Sequence, residues 1–235
     1  MPSVILSDLD DTLFDHTRAT RTALDVVRGA TPGLAPLSLD RLHHLHAEIL
    51  EVLHVEVVAG RVAIDDARIE RFRRLLAAAG SDRAADAAPE VARRYRREYE
   101  IASGPVAGAV DLLTHLKAAG AVVVIVTNNI VVEQRLKLAR CGLAALVDHL
   151  VTSEEAGVSK PDPRIFQDAL DRAHAAPADA VMLGDAWATD IEGALGAGIR
   201  AIWLNRFGKA RPLASVREID SLEPVERVAG ILLGR

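Results

Sequence analysis

The chain has 235 residues, half of them hydrophobic, a formal net charge of −5 and only eight aromatic residues. A surface of that sign does not neutralise a run of phosphates and few rings are left for stacking bases, which excludes a nucleic acid polymer as partner. The single cysteine, Cys141, excludes an internal disulfide or a cysteine-based zinc cluster and suits a reducing compartment.

Taken in chain order, a short apolar run at Val4 to Leu6 predicts a buried strand, followed at once by the stretch ILSDLDDTLFD, residues 5 to 15. Asp8 interrupts the apolar run, so no secretory signal is expected and the expected location is cytoplasmic. The next strand-like run, Val122 to Val126, lies more than a hundred residues on, far beyond what one crossover helix requires. Within that gap Leu37 to Ala59, Val62 to Ala79 and Ala84 to Ile101 carry helical spacing, with Gly60 and Gly80 as breaks and Ser38 or Ser81 as caps. Residues 16–102 are therefore expected to form a helical insertion, and Ser103-Gly104-Pro105 to mark the return to the sheet.

From there helices and strands alternate. Val106 to Ala119 places Val110, Leu113 and Leu116 on one face and stops at Gly120. Strands are predicted at Val122 to Val126, His149 to Val151, Val181 to Leu183 and Ala201 to Leu204, and a helix over Pro163 to Ala173 behind an Asp162-Pro163 start. This βαβ alternation predicts an α/β fold with a parallel sheet covered by helices, its core formed by residues 1–15 and 103–235. The longest fully apolar run, Ala121 to Val126, is far short of the roughly 20 residues of a membrane helix, so no membrane partner is expected.

In a parallel sheet, ligand chemistry sits outside the carboxyl ends of the strands. Four polar signals fall there: Asp8 to Thr12, Thr127 with Asn128, Lys160, and Gly184-Asp185 with Asp190. Clustered carboxylates without cysteine or histidine at ligand spacing favour a hard cation, and a site shared with a phosphate favours Mg²⁺. Asp8 and Asp185 form the natural ligand pair, with Asp190 bound to the metal directly or through water. Asp8, held rigidly at the strand end, is the candidate nucleophile, and Asp10, two positions on, the candidate acid/base. Lys160 neutralises charge, while Thr127 and backbone N–H groups around Asn128 hold phosphoryl oxygens.

These segments resemble the four motifs of the haloacid dehalogenase superfamily, phosphatase branch: DLDDT its DxDxT, VTN its second motif, SKPDPRIF its third, and GDAWATD its GDxxxxD. The resemblance implies a Rossmann-like core with an α-helical cap inserted after the first motif. It further implies Asp8 as nucleophile and metal ligand, Asp10 as acid/base with its backbone carbonyl on Mg²⁺, Thr127 on phosphate, Lys160 stabilising charge, Asp185 as a ligand, and Asp190 as a ligand or its support. FDHTRAT and GDAWATDIEGALGAGIRAIWLNR are similar to a subgroup containing N-acylneuraminate 9-phosphatases and pyrimidine 5'-nucleotidases. The implied activity is Mg²⁺-dependent hydrolysis of a small phosphorylated metabolite, a sugar phosphate or nucleoside monophosphate, through an aspartyl-phosphate. The competing readings are a phosphosugar mutase, a 2-haloacid dehalogenase, against which Asp10 and Asp185 argue, and a non-catalytic binding protein on the same scaffold.

Other features receive plainer readings. Asp15 is expected to cap a helix or serve a hinge; His43, His44 and His46 to form a polar helix face rather than a metal site; and ARRYRREYE, residues 92 to 100, to be a solvated charged face. Trp187 is read as packing or as a pocket wall, and Gly193, Gly196 and Gly198 as helix and exit glycines rather than a dinucleotide loop. Asn129, where the family commonly has glycine, is expected to tolerate a left-handed backbone. Ala186 stands where the family often has serine.

Overall fold

A computed structural model describes residues 4–235. The chain divides into two compact units, one built from the residues up to Asp15 together with Gly104–Arg235, the other from His16–Ser103.

The first unit carries six parallel strands: β1 (Val4–Ser7), β2 (Val122–Thr127), β3 (His149–Thr152), β4 (Ala180–Gly184), β5 (Arg200–Leu204) and β6 (Arg217–Ile219). They lie in the order β3-β2-β1-β4-β5-β6, a doubly wound, Rossmann-like arrangement. The four-residue β1 is buried throughout, in register with β2 through Leu6 opposite Val124 and with β4 through Leu6 opposite Met182. Being covered on both faces, these strands read as continuous apolar runs instead of alternating ones. Strand order departs in opposite directions from β1, so the ends of β1 and β4 flank the crevice where such sheets bind ligands. The strand β6 was not expected: three residues, Arg-Glu-Ile, on a sheet edge leave too short an apolar signal to read.

The second unit contributes α1 (His16–Ala30), α2 (Leu39–Val58), α3 (Ile64–Ala78) and α4 (Ala84–Ala102), with α1 against α4 and α3 against both α2 and α4. Ser38 caps α2 by accepting the Arg41 N–H, as expected, whereas Ser81 caps nothing and α4 begins behind Arg83. The first unit adds α5 (Ala109–Ala118), α6 (Val131–Arg140), the short α7 (Ser153–Ala156), α8 (Pro163–Arg172), the short α9 (Glu192–Gly196) and α10 (Val225–Leu232). Helices α8 and α9 cover one sheet face, where Leu6, Val124, Met182 and Trp203 meet Ile165, Phe166 and Ala194. On α8 the Asp162 side chain accepts the Arg164 N–H and Pro163 opens the helix. Helix α5 starts three residues later than the apolar spacing predicts, because Gly108 adopts φ 81 and a side chain there would meet Glu223 at 2.8 Å.

Where the chain leaves and re-enters the first unit, the Asp15 N–H donates to Gly104 O at 3.0 Å and the Val106 N–H to Leu13 O at 2.8 Å. Among the described residues no helix is long and apolar enough to cross a membrane.

Candidate active site

The strand ends bring the predicted residues together. Asp8 follows β1 directly and is buried, its N–H donating to Leu183 O of β4. The Lys160 ammonium donates to Asp8 Oδ1 at 2.6 Å and lies 2.7 Å from Asp190 Oδ1, so one cation bridges the ends of β1 and β4. Lys160 is 4 % exposed and Asp190 0 %, which makes this a buried triad whose geometry is fixed by packing. Burial alone would lower the lysine, but Asp190 and Asp8 more than offset it and hold its pKa above the ordinary value.

Two devices hold Lys160 in place. The Asn128 side chain pins its backbone from both sides, accepting the Lys160 N–H at 2.7 Å and donating to Lys160 O at 2.9 Å. Behind it, α9 approaches so closely at Gly193 that an added Cβ would sit 2.7 Å from the Phe166 ring and 3.0 Å from Pro161 Cα. Gly184 is required for the same kind of reason: a Cβ there would fall 2.4 Å from that of Asp190. Asp190 is further fixed by the Ala186 N–H, donated to Oδ2 at 3.0 Å from a turn of π-helix over Trp187–Ile191.

Asp8, Asp185 and Asp190 each present a carboxylate oxygen within 4.8 Å of the others. Burial pushes Asp8 well above the usual carboxylate range, with Lys160 opposing and Asp190, Asp185 and Asp10 adding to the rise. Burial, then Asp190 and Asp11, push Asp185 up to about 7. Three carboxylates facing one ammonium leave an excess of negative charge in a buried site, and their hard oxygen donors suit a divalent cation such as Mg²⁺. The oxygens of Asp190 are already engaged by Lys160 and Ala186, so Asp8 and Asp185 are better placed to meet an ion.

The Asp10 carboxylate lies outside this trio. Both its oxygens accept from the buried Lys137 ammonium, at 2.6 and 2.7 Å, and Oδ2 also accepts from Gln134 Nε2 at 3.1 Å. The same Gln134 amide donates to Thr127 Oγ1 at 2.9 Å, joining the acid after β1 to the hydroxyl at the end of β2. Lys137 stands 5.2 Å from the Phe14 ring centroid. Sequence reasoning missed Gln134 and Lys137, which are three apart on α6 and buried with Leu138 on one face. Two polar residues on the face that should have been apolar were the available signal. Arg206, also missed, donates to Asp11 O at 3.2 Å and pairs with Asp15 at 3.1 Å. It braces the loop in which Asp11 takes φ 60, a left-handed conformation that aspartate tolerates.

The remaining expectations divide. Asn129 is not left-handed; its Oδ1 accepts the Ile130 N–H instead. Trp187 packs edge-on against Trp203 and donates to Glu192. His46 is buried against Phe72 and Tyr95, correcting the polar-face reading for that residue, while His44 stays exposed beside Glu48. In ARRYRREYE the arginines pair with Glu90, Glu98 and Glu100, as a solvated face should, but Tyr95 and Tyr99 turn inward.

A family model described as a haloacid dehalogenase-like hydrolase matches residues 2–198. The chain belongs to that family. Among curated relatives of this haloacid dehalogenase-like hydrolase, a ribulose-1,5-bisphosphate 5-phosphatase from Halopiger xanaduensis is 31% identical over 97% of the chain and 92% of its own length. The pyrimidine 5'-nucleotidase YjjG of Escherichia coli is 37% identical over 53% of the chain, which spans only 56% of that relative. In structure, the magnesium-bound HAD-hydrolase YfnB of Bacillus subtilis superposes with a TM-score of 0.76 at 26% identity, covering 97% of this chain and 99% of the other.

Proposed function

We propose that this hydrolase is a Mg²⁺-dependent phosphomonoesterase of small phosphorylated metabolites, working through an aspartyl-phosphate on Asp8. The observation that carries the reading is the convergence of Lys160 on Asp8 and Asp190 beside Asp185, with Asp10 held separately by Lys137. Asp10 stands apart from the carboxylates gathered on Lys160, which leaves it for a task different from that of Asp8. Relatives named for a sugar bisphosphate and for pyrimidine nucleotides support the substrate class, a sugar phosphate or nucleoside monophosphate.

In this reading an Asp8 carboxylate oxygen attacks phosphorus and the bond to the leaving oxygen breaks. Asp10 gives its proton to the departing alcohol. Asp10 then takes a proton from the water that attacks the aspartyl-phosphate, which releases inorganic phosphate and restores Asp8. Lys160 offsets charge on Asp8 and on the transferring oxygens, and Thr127 with the backbone at Asn128 receives the others. Asp8 and Asp185 would hold Mg²⁺, with the Asp10 carbonyl and Asp190 in support, and the ion supplies Lewis-acid charge when bound. The helical unit is assigned the role of cap, the part that sets substrate choice.

The test is inorganic phosphate release from nucleoside monophosphates, sugar phosphates and an aryl phosphate, with Mg²⁺ or EDTA, in wild type and Asp8→Asn. Release should require the metal and fall by about 10³-fold or more in the variant. Undiminished release in Asp8→Asn removes Asp8 as nucleophile, and an isomeric product without free phosphate makes the protein a mutase.

A further inference from the structure

The helical unit buries a cation without a counterion. Arg71, on α3, stacks its guanidinium carbon 5.5 Å from the Tyr95 ring centroid and 5.8 Å from that of Phe72. Its Nε is sealed from solvent and has no hydrogen-bond partner, and among the described residues no carboxylate pairs with it. The residue as a whole keeps some exposure.

Burial holds the Arg71 pKa below the ordinary arginine value, with Arg68 and Arg96 adding to the fall and the phenols of Tyr95 and Tyr99 opposing it. Arg68 is already paired with Asp65, and Arg96 with Glu100. The Nε2 of His46, whose ring lies 5.0 Å from that of Tyr95, is a second buried polar atom lacking a partner. An unpaired buried guanidinium costs stability, and stacking on two rings recovers only part of that cost. A planar fork of donors beside neutral hydroxyl and imidazole groups, with no acid in reach, matches a carboxylate or a phosphate.

We propose that Arg71, with His46 and Tyr95 beside it, forms a binding site on the helical unit for a small oxyanion, a carboxylate or phosphate group. That anion is a separate small ion.

The experiment follows the Arg71 Nε–H resonance in the ¹⁵N-labelled full chain, identified by its disappearance in Arg71→Lys, while sodium sulfate or sodium acetate is added at constant ionic strength. A saturable displacement is expected; no displacement with either anion overturns the site. Arg71→Met should melt at or above the wild-type temperature, because the variant removes an unpaired charge from the interior. A lower melting temperature with no anion response would make Arg71 a structural residue.

Discussion

Asp10 shows how far a single residue's role depends on neighbours distant in sequence. Its position two residues after Asp8 suggests the acid/base role proposed for it, but its carboxylate is oriented by Lys137 and Gln134, more than a hundred residues later. Replacing Lys137 by Met should leave the carboxylate without its bidentate partner and reduce kcat about 10- to 100-fold for alkyl phosphates, whose leaving oxygen needs a proton. The loss should be much smaller for p-nitrophenyl phosphate, whose leaving group departs as an anion, and Lys137→Arg should recover part of it. Equal losses on both substrates would mean that Lys137 acts elsewhere. The convergence of Asp8, Lys160, Asp185 and Asp190 was legible because they stand in compact motifs at strand ends. Lys137 was not, because a lysine on a helix reads as solvated until the fold shows what lies opposite it.

At the scale of elements, α2 carries a comparable lesson. Three histidines in four positions suggest a polar face, yet Leu42, His46 and Leu53 form the stripe that faces the unit's interior, spaced as a helix requires. His46 therefore belongs to an aromatic cluster with Phe72 and Tyr95, and burial, then the charges of Arg71, His16 and His43, hold its pKa well below the ordinary 6.5. The unfolded chain binds a proton at this histidine below about pH 6.5 while the folded chain does not. Stability therefore rises with pH through that region and is lost as the pH falls below 6.5, by up to about 1.4 kcal/mol per pH unit. In His46→Phe this contribution should vanish. Denaturant unfolding of both proteins between pH 7.5 and 5 checks it: the wild-type curve should fall more steeply, and parallel curves would show that His46 does titrate in the folded state. The helices around it were legible from the breaks at Gly60 and Gly80, both at positive φ, whereas the inward turn of one histidine was a matter of tertiary packing.

For the whole molecule, the alternation of strand and helix made the parallel sheet legible, but not the order in which its strands lie. That order sets β1 beside β4 and so gathers Asp8, Asp185 and Asp190 around one lysine. A site with surplus negative charge is a strain on the fold until a cation enters. Asp185, held up to about 7 by burial and by Asp190 and Asp11, must lose its proton for full metal binding, so binding should strengthen as the pH rises toward and past 7. Mg²⁺ should raise the melting temperature of the wild type, with about 2.7 kcal/mol of stabilisation when the ion is at a hundred times its Kd. The rise should be larger at pH 8 than at pH 6, and EDTA should reverse it. Asp185→Asn should act in two opposite ways, melting higher than wild type without metal, because one repelling carboxylate is gone, and losing most of the response to Mg²⁺. A variant that melts lower in EDTA and still gains the full Mg²⁺ shift would show that the carboxylate supports the fold and that the ion is held elsewhere.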